Sequence, residues 1–172
     1  MKRHFTTKRL AALGVLLAAA SVTFLIESLV PPLLPFAPYV KIGLANCFLL
    51  LVIVCFGAGD AFLFLIAKNI LTALFTGWFA FMLNLAGSLC AYLAMAGLYA
   101  AFSPKVGLIS VSIAGAVVSN IARTAVAVLW LEAPSLFVQL PFVCGFGIAA
   151  GALVGILTTL CIKYLPERLT NF

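Results

Sequence analysis

The chain has 172 residues, of which 66% are hydrophobic and only 8% charged, and its mean hydropathy is +1.29. That much polar side-chain surface cannot coat a water-soluble domain of this length, so the composition excludes a soluble globular protein and implies an integral membrane protein. The formal charge of +6 does not indicate a nucleic-acid surface, because the basic residues fall at helix ends, where they set orientation, and no basic and aromatic stripe accompanies them.

At roughly 20 residues per crossing, the length accommodates about six helices and no soluble domain. The N-terminal MKRHFTTKR followed by LAALGVLLAAASVTF has the outline of a secretory signal, with small residues at Ala20 and Ser21. A retained first span over 10–30 is preferred, because the apolar run continues through Phe24, Leu25 and Ile26. PPLLPFAPYVK then interrupts the pattern; its prolines lack donors and push the preceding residues toward extended backbone. This stretch is apolar for a loop and reads equally as an interfacial connector or as a lid over an outward-facing cavity. Further spans are expected at 42–58, 60–77, 78–102, 107–131 and 136–164, separated by GAGD, TGW, SPKVG and LEAPS. The tight turns at 57–60 and 76–78 leave a five-helix count open.

The predicted fold is therefore an all-α, polytopic six-transmembrane-helix bundle forming one membrane domain over 1–172. With a cytoplasmic N-terminus, Lys2, Arg3, Lys8, Arg9, Lys105, Lys163 and Arg168 lie inside and only Lys41 in an outer loop, which predicts an N-in, C-in orientation. Trp78 and Trp130 then fall at one interface, and Tyr99 and Tyr164 at the other.

Several polar residues sit where lipid would not tolerate them. Glu27 and Lys41 flank the outer ends of the first two spans, Arg123 lies within the fifth and Lys68 near the middle of the third. A charge at such depth costs about 2.5–3.5 kcal/mol on insertion scales, so these groups are expected to face protein or a wet cavity. Asn46, Asn69, Asn84, Ser119, Asn120 and Thr124 share the same spans. Ala116, Asn120, Arg123 and Thr124 project from one helix face. A structural reading pairs Glu27 with Lys41 or Arg123 and lets the asparagines bond between helices. It leaves an excess, since Lys41, Lys68 and Arg123 oppose a single Glu27. The binding reading takes that surplus as the means of holding a small, partly apolar molecule with an acidic group. Arg123, Lys68, Asn120, Asn84, Asn46, Glu27 and Lys41 are its candidate site residues.

Small-residue faces form a second signal: Gly147, Gly151 and Gly155 on the last span, Gly87 with Ala91 on the fourth, and Ala11, Gly14 and Ala18 on the first. The face at Ala11, Gly14 and Ala18, on the N-terminal span, is the candidate docking face for another membrane subunit. The five cysteines, Cys47, Cys55, Cys90, Cys144 and Cys161, lie in apolar runs without CxxC spacing and read as small core residues. His4 alone makes no metal site, and no metal or cofactor is expected. The single aspartate, Asp60, cannot by itself hold magnesium against a diphosphate. The sequence contains no GxxxxGK[ST], GxSxG or HExxH, so neither ATP hydrolysis nor a hydrolytic centre is expected and the chain reads as a non-enzyme.

KIGLANCFLLLVI (41–53), LNLAGSLCAYLAM (83–95) and GLISVSIAGAVVSNIARTAVAVL (107–129) resemble the membrane family named heptaprenyl diphosphate synthase component I, also called Gx transporters. The resemblance runs over nearly the whole chain. The family is similar in architecture to the substrate-binding S components of energy-coupling factor (ECF) transporters. That likeness implies a subunit that binds a small molecule from outside and docks, through a small-residue face of the first helix, on a transmembrane coupling subunit with ATPase subunits. The sequence departs from the family pattern at Ser119-Asn120 with Arg123, where a His-Asn pair followed by Gln is expected, and at Lys68, where Arg is expected.

The leading expectation is a substrate-binding subunit, in a bacterial plasma membrane, for uptake of a partly apolar anion such as an isoprenoid or quinone precursor or a vitamin. In it Arg123 and Lys68 neutralise the acid, Asn84 and Asn120 orient it, and Glu27 with Lys41 orders the outer gate. One alternative is a non-catalytic membrane subunit of a polyprenyl-diphosphate synthase that accepts the lengthening chain; it predicts a soluble aspartate-rich partner and an apolar groove reaching the cytoplasmic side. Another is a ligand-free assembly protein, a closed bundle with its polar groups paired.

Overall fold

In a computed structural model, residues 7–29, 43–102 and 106–164 are described. They form six α-helices and one short 3-10 turn: α1 (Thr7–Leu29), α2 (Ala45–Phe56), α3 (Ala58–Ala73), α4 (Trp78–Phe102), α5 (Leu108–Leu131), a 3-10 helix (Pro134–Gln139) and α6 (Leu140–Tyr164). The chain is a multi-pass membrane protein, but not with six crossings. Among the described residues four segments are long and apolar enough to cross a membrane: α1, α4, α5, and α6 with its preceding turn.

The other two fall short for identifiable reasons. α2 has 12 residues and α3 has 16, or about 18 Å and 24 Å at 1.5 Å per residue, against a hydrocarbon core of about 30 Å. Gly43 at φ +79° and Gly57 at φ +92° bound α2, because a backbone in that region leaves the right-handed helix. The Gly57 N–H caps α2 by bonding to the carbonyls of Val52 and Ile53 at 3.1 Å, and α3 starts at the next residue. α3 ends at Ala73, where the Thr72 carbonyl takes the N–H groups of both Phe75 and Thr76 at 3.1 Å as the chain turns toward Gly77. The expected spans 42–58 and 60–77 are thus replaced by a short helical hairpin. The expected six-transmembrane-helix bundle is corrected accordingly.

α2 is apolar on every side, and ten of its twelve residues are buried. A helix of this length and character is a core element rather than a span. Leu49 to Ile53 and Phe56 form the centre of the main apolar cluster with Phe64 and Leu65 of α3, Ala91 and Met95 of α4 and Val111 of α5. The long helices wrap this hairpin.

α5 packs most extensively against α6 and α4. On α6, the Gly147, Gly151 and Gly155 stripe turns onto α5. A Cβ at Gly151 would lie 2.7 Å from the Ile113 Cα, and one at Gly155 2.7 Å from the Ile109 Cα, so the missing side chains are what bring the two backbones together. α1 is the least buried of the long helices, and Val15, Val22 and Ile26 are exposed along it, as expected of a lipid-facing surface. Among the cysteines, all free, Cys47 and Cys55 are core residues, whereas Cys90 and Cys144 are half-buried and Cys161 is exposed.

Candidate functional site

Two places in the bundle combine polar chemistry with space. The first lies at the start of α2. Asn46 on α2, Ser112, Ser119, Asn120 and Arg123 on α5 and Gly43 line one cavity of about 10 Å³, room for roughly one water molecule. Arg123 and Lys68 are only 6% and 4% exposed. They repel one another, and Glu27 attracts both. Glu27 also accepts a hydrogen bond from the Gly43 N–H at 2.5 Å, which ties the end of α1 to the backbone just ahead of α2.

The start of α2 lies inside the bundle rather than at its end. The Cys47 sulfur accepts a hydrogen bond from Thr158 at 3.1 Å, and α6 continues for six residues beyond Thr158 to Tyr164. No side chain caps α2; the N–H groups of Asn46 and Cys47 fold back onto the carbonyls of Gly43 and Leu44 at 2.8 and 3.0 Å. The positive end of a helix dipole therefore opens into the interior beside Arg123. Two buried donors here, the Ser112 hydroxyl and the Arg123 Nε, have no hydrogen-bond partner.

Arg123 fits this interior because of Gly87 on α4. A Cβ there would meet the Arg123 Nε at 2.5 Å and its Cγ at 2.8 Å. The Gly87 and Ala91 face thus accommodates a guanidinium as well as a neighbouring helix, which the small-residue pattern alone did not signal.

Of the sequence candidates, Asn46, Asn120 and Arg123 share the cavity, and Lys68 and Glu27 act on it electrostatically. Asn120 also donates to the Val143 carbonyl on α6 at 3.4 Å. Asn84 is buried but does not line the cavity; its carbonyl accepts the Ser88 hydroxyl at 2.7 Å, and Ser88 in turn accepts from Asn69 of α3 at 2.8 Å. Lys41 and the PPLLPFAP stretch lie outside the described residues.

The second place lies between α1 and α3, and its ion pair was not anticipated. At the start of α1, Arg9 is buried and makes an ion pair with Asp60 at the start of α3. It also donates to the Phe56 carbonyl at 2.8 Å, with the guanidinium over the Phe56 ring. Asp60 is thereby committed to an internal partner. Running from this ion pair between α1 and α3 is an apolar groove of about 300 Å³, lined by Leu10, Leu13, Gly14 and Leu17 on one side and Leu63, Phe64 and Ala67 on the other. That volume is at the lower end of ligand pockets, about 300–1,000 Å³. Gly14 and its neighbours Ala11 and Ala18 are exposed, and a Cβ on Gly14 would touch nothing within 4 Å. Among the described residues, no three His, Cys, Asp or Glu side chains gather as a metal cluster.

The sequence model of the family described as heptaprenyl diphosphate synthase component I matches residues 16–161. No curated protein matches the chain.

Proposed function

The chain belongs to the heptaprenyl diphosphate synthase component I family, and from that premise we propose that it is the non-catalytic membrane subunit of a polyprenyl-diphosphate synthase. The observation that carries this reading is the apolar groove between α1 and α3, which opens beside the Arg9–Asp60 pair. A growing prenyl chain is pure hydrocarbon behind its diphosphate, and a groove lined by Leu, Phe, Gly and Ala offers it matching apolar walls. The chemistry belongs to a soluble, aspartate-rich, magnesium-dependent partner, since the only aspartate here is already paired. The chain itself contributes no catalytic residue.

The test is co-expression with such a prenyl-transferring subunit, followed by copurification and analysis of product length. Filling the groove with Gly14→Phe, where space is open, is expected to shift the products toward shorter chains. No copurification, together with an unchanged product distribution whether or not this chain is present, sinks the reading.

A second reading is favoured by one specific observation: two buried cations, Arg123 and Lys68, face a single acid, Glu27, among the described residues. On it, the chain is a substrate-binding subunit for uptake of a partly apolar anion, working with a transmembrane coupling subunit and ATPases of the energy-coupling factor type. The cavity at Arg123 holds only about one water, so uptake requires the bundle to open there first. Thermal stabilisation of the purified chain by isoprenoid, quinone-precursor or vitamin acids, lost in Arg123→Ala, is the expected result; affinity unchanged in Arg123→Ala rules the site out.

A further inference from the structure

We propose that the cavity at the start of α2 is a binding site for one halide-sized monovalent anion, held between Arg123 and Ser112 in the field of the α2 N-terminus. The proposal rests on the charge surplus behind the uptake reading but not on uptake itself.

Three independent features converge on it. The first is size: about 10 Å³ is room for roughly one water-sized guest and no organic molecule, so a halide enters in place of that water with slight give in the side-chain walls. The second is charge. Arg123 and Lys68 against Glu27 leave one positive charge uncompensated among the described residues, and a buried, unpaired charge is strongly destabilising. One monovalent anion restores neutrality. The third is an unsatisfied donor: the Ser112 hydroxyl is fully buried, lines the cavity and has no partner. A hydroxyl donor, a guanidinium and the positive end of a helix are the elements by which proteins bind anions without a metal.

Asn46 and Asn120 on the same walls add amide N–H groups. No carboxylate lines the cavity; Glu27 lies one contact away, on the Gly43 N–H. That arrangement lets the resident acid and a bound anion share the two cations instead of competing for one place.

The experiment exchanges chloride for the bulky anion gluconate at constant ionic strength, on the full chain purified in detergent, and follows the Tm. A saturable rise in Tm with chloride is expected, with apparent affinity weakened roughly tenfold or more in Arg123→Gln and clearly reduced in Ser112→Ala. Bromide diffraction should place one anomalous peak between Ser112 and Arg123. A response that is absent, unsaturable, or identical in both variants overturns the proposal, as does a bromide peak elsewhere. An aliphatic carboxylate is run in parallel. Stabilisation by the carboxylate but not by chloride overturns the halide site while leaving the uptake reading intact. Should Arg123→Gln fail to fold, Ser112→Ala and the bromide peak decide the matter.

Discussion

Among the described residues two arginines are buried, and they are treated differently. Arg9, at the start of α1, meets an aspartate, a backbone carbonyl and an aromatic face. Arg123, inside α5, lies against Gly87 with its Nε unpaired, and its nearest acid, Glu27, acts across space while bonded to Gly43. A direct, hydrogen-bonded ion pair is a way of closing a structure, because each charge compensates the other at short range. An incompletely compensated cation beside a helix N-terminus stores electrostatic free energy that a guest can release. On the proposed anion site, the Arg9–Asp60 pair fastens α1 to α3 beside the apolar groove, whereas the Arg123 interior keeps a charge for a guest.

The largest expected effect tests the scaffold half of that contrast. Asp60→Asn leaves the buried Arg9 guanidinium without its acid, and removing one member of a buried pair typically costs about 3–5 kcal/mol. Thermal unfolding in detergent should show a marked fall in Tm. The double change Arg9→Met with Asp60→Leu is expected to recover most of it, since a well-packed apolar pair carries no desolvation cost. If Asp60→Asn unfolds like the parent chain, the ion pair is not holding α1 to α3.

The glycines grade the next effects. Gly151→Ala drives a Cβ to 2.7 Å from the Ile113 Cα, so two backbones must separate; overpacking of this kind costs about 1–3 kcal/mol, and the change should lie at the upper end. Gly87→Ala meets side chains rather than backbone, Arg123 at 2.5 Å and the Ser119 hydroxyl at 3.0 Å, so a smaller loss of stability is expected together with loss of anion response. Gly14→Ala meets nothing and should stay within about 0.5 kcal/mol of the parent. An equal Tm for all three variants would break the distinction between packed and open small-residue faces.

The class of protein was legible in composition, because hydropathy reports solvent directly. The four long helices were legible as well: α4 and α5 were expected at 78–102 and 107–131 and lie at Trp78–Phe102 and Leu108–Leu131. The hairpin was not. KIGLANCFLLLVIVCF and its continuation have the apolarity of a span, and hydropathy cannot tell a helix surrounded by lipid from one surrounded by other helices. The missed signals were Gly43 and Gly57, whose positive φ values limit α2. At the site, helical spacing placed Asn120 and Arg123 together. It gave no indication that Arg9 and Asp60, 51 residues apart, would pair, because that contact depends on α1 and α3 starting at the same end of the bundle.

The smallest expected effect is the most informative. Arg123→Met removes a buried cation that lacks a full complement of partners and replaces it with an apolar chain of similar length. In a chloride-free buffer the stability should change by less than about 1 kcal/mol, or rise, because replacing an incompletely compensated buried charge by a packed apolar side chain is often neutral or favourable. In saturating chloride the parent chain should gain stability and the variant should not, so the two melting curves diverge only when anion is present. Lys68→Met is expected to behave the same way with a weaker divergence, since Lys68 acts on the cavity without lining it. A loss for Arg123→Met as large as that for Asp60→Asn, independent of anion, would mean that both arginines are scaffold, and the interior cation would then be one more helix-to-helix fastening rather than a site.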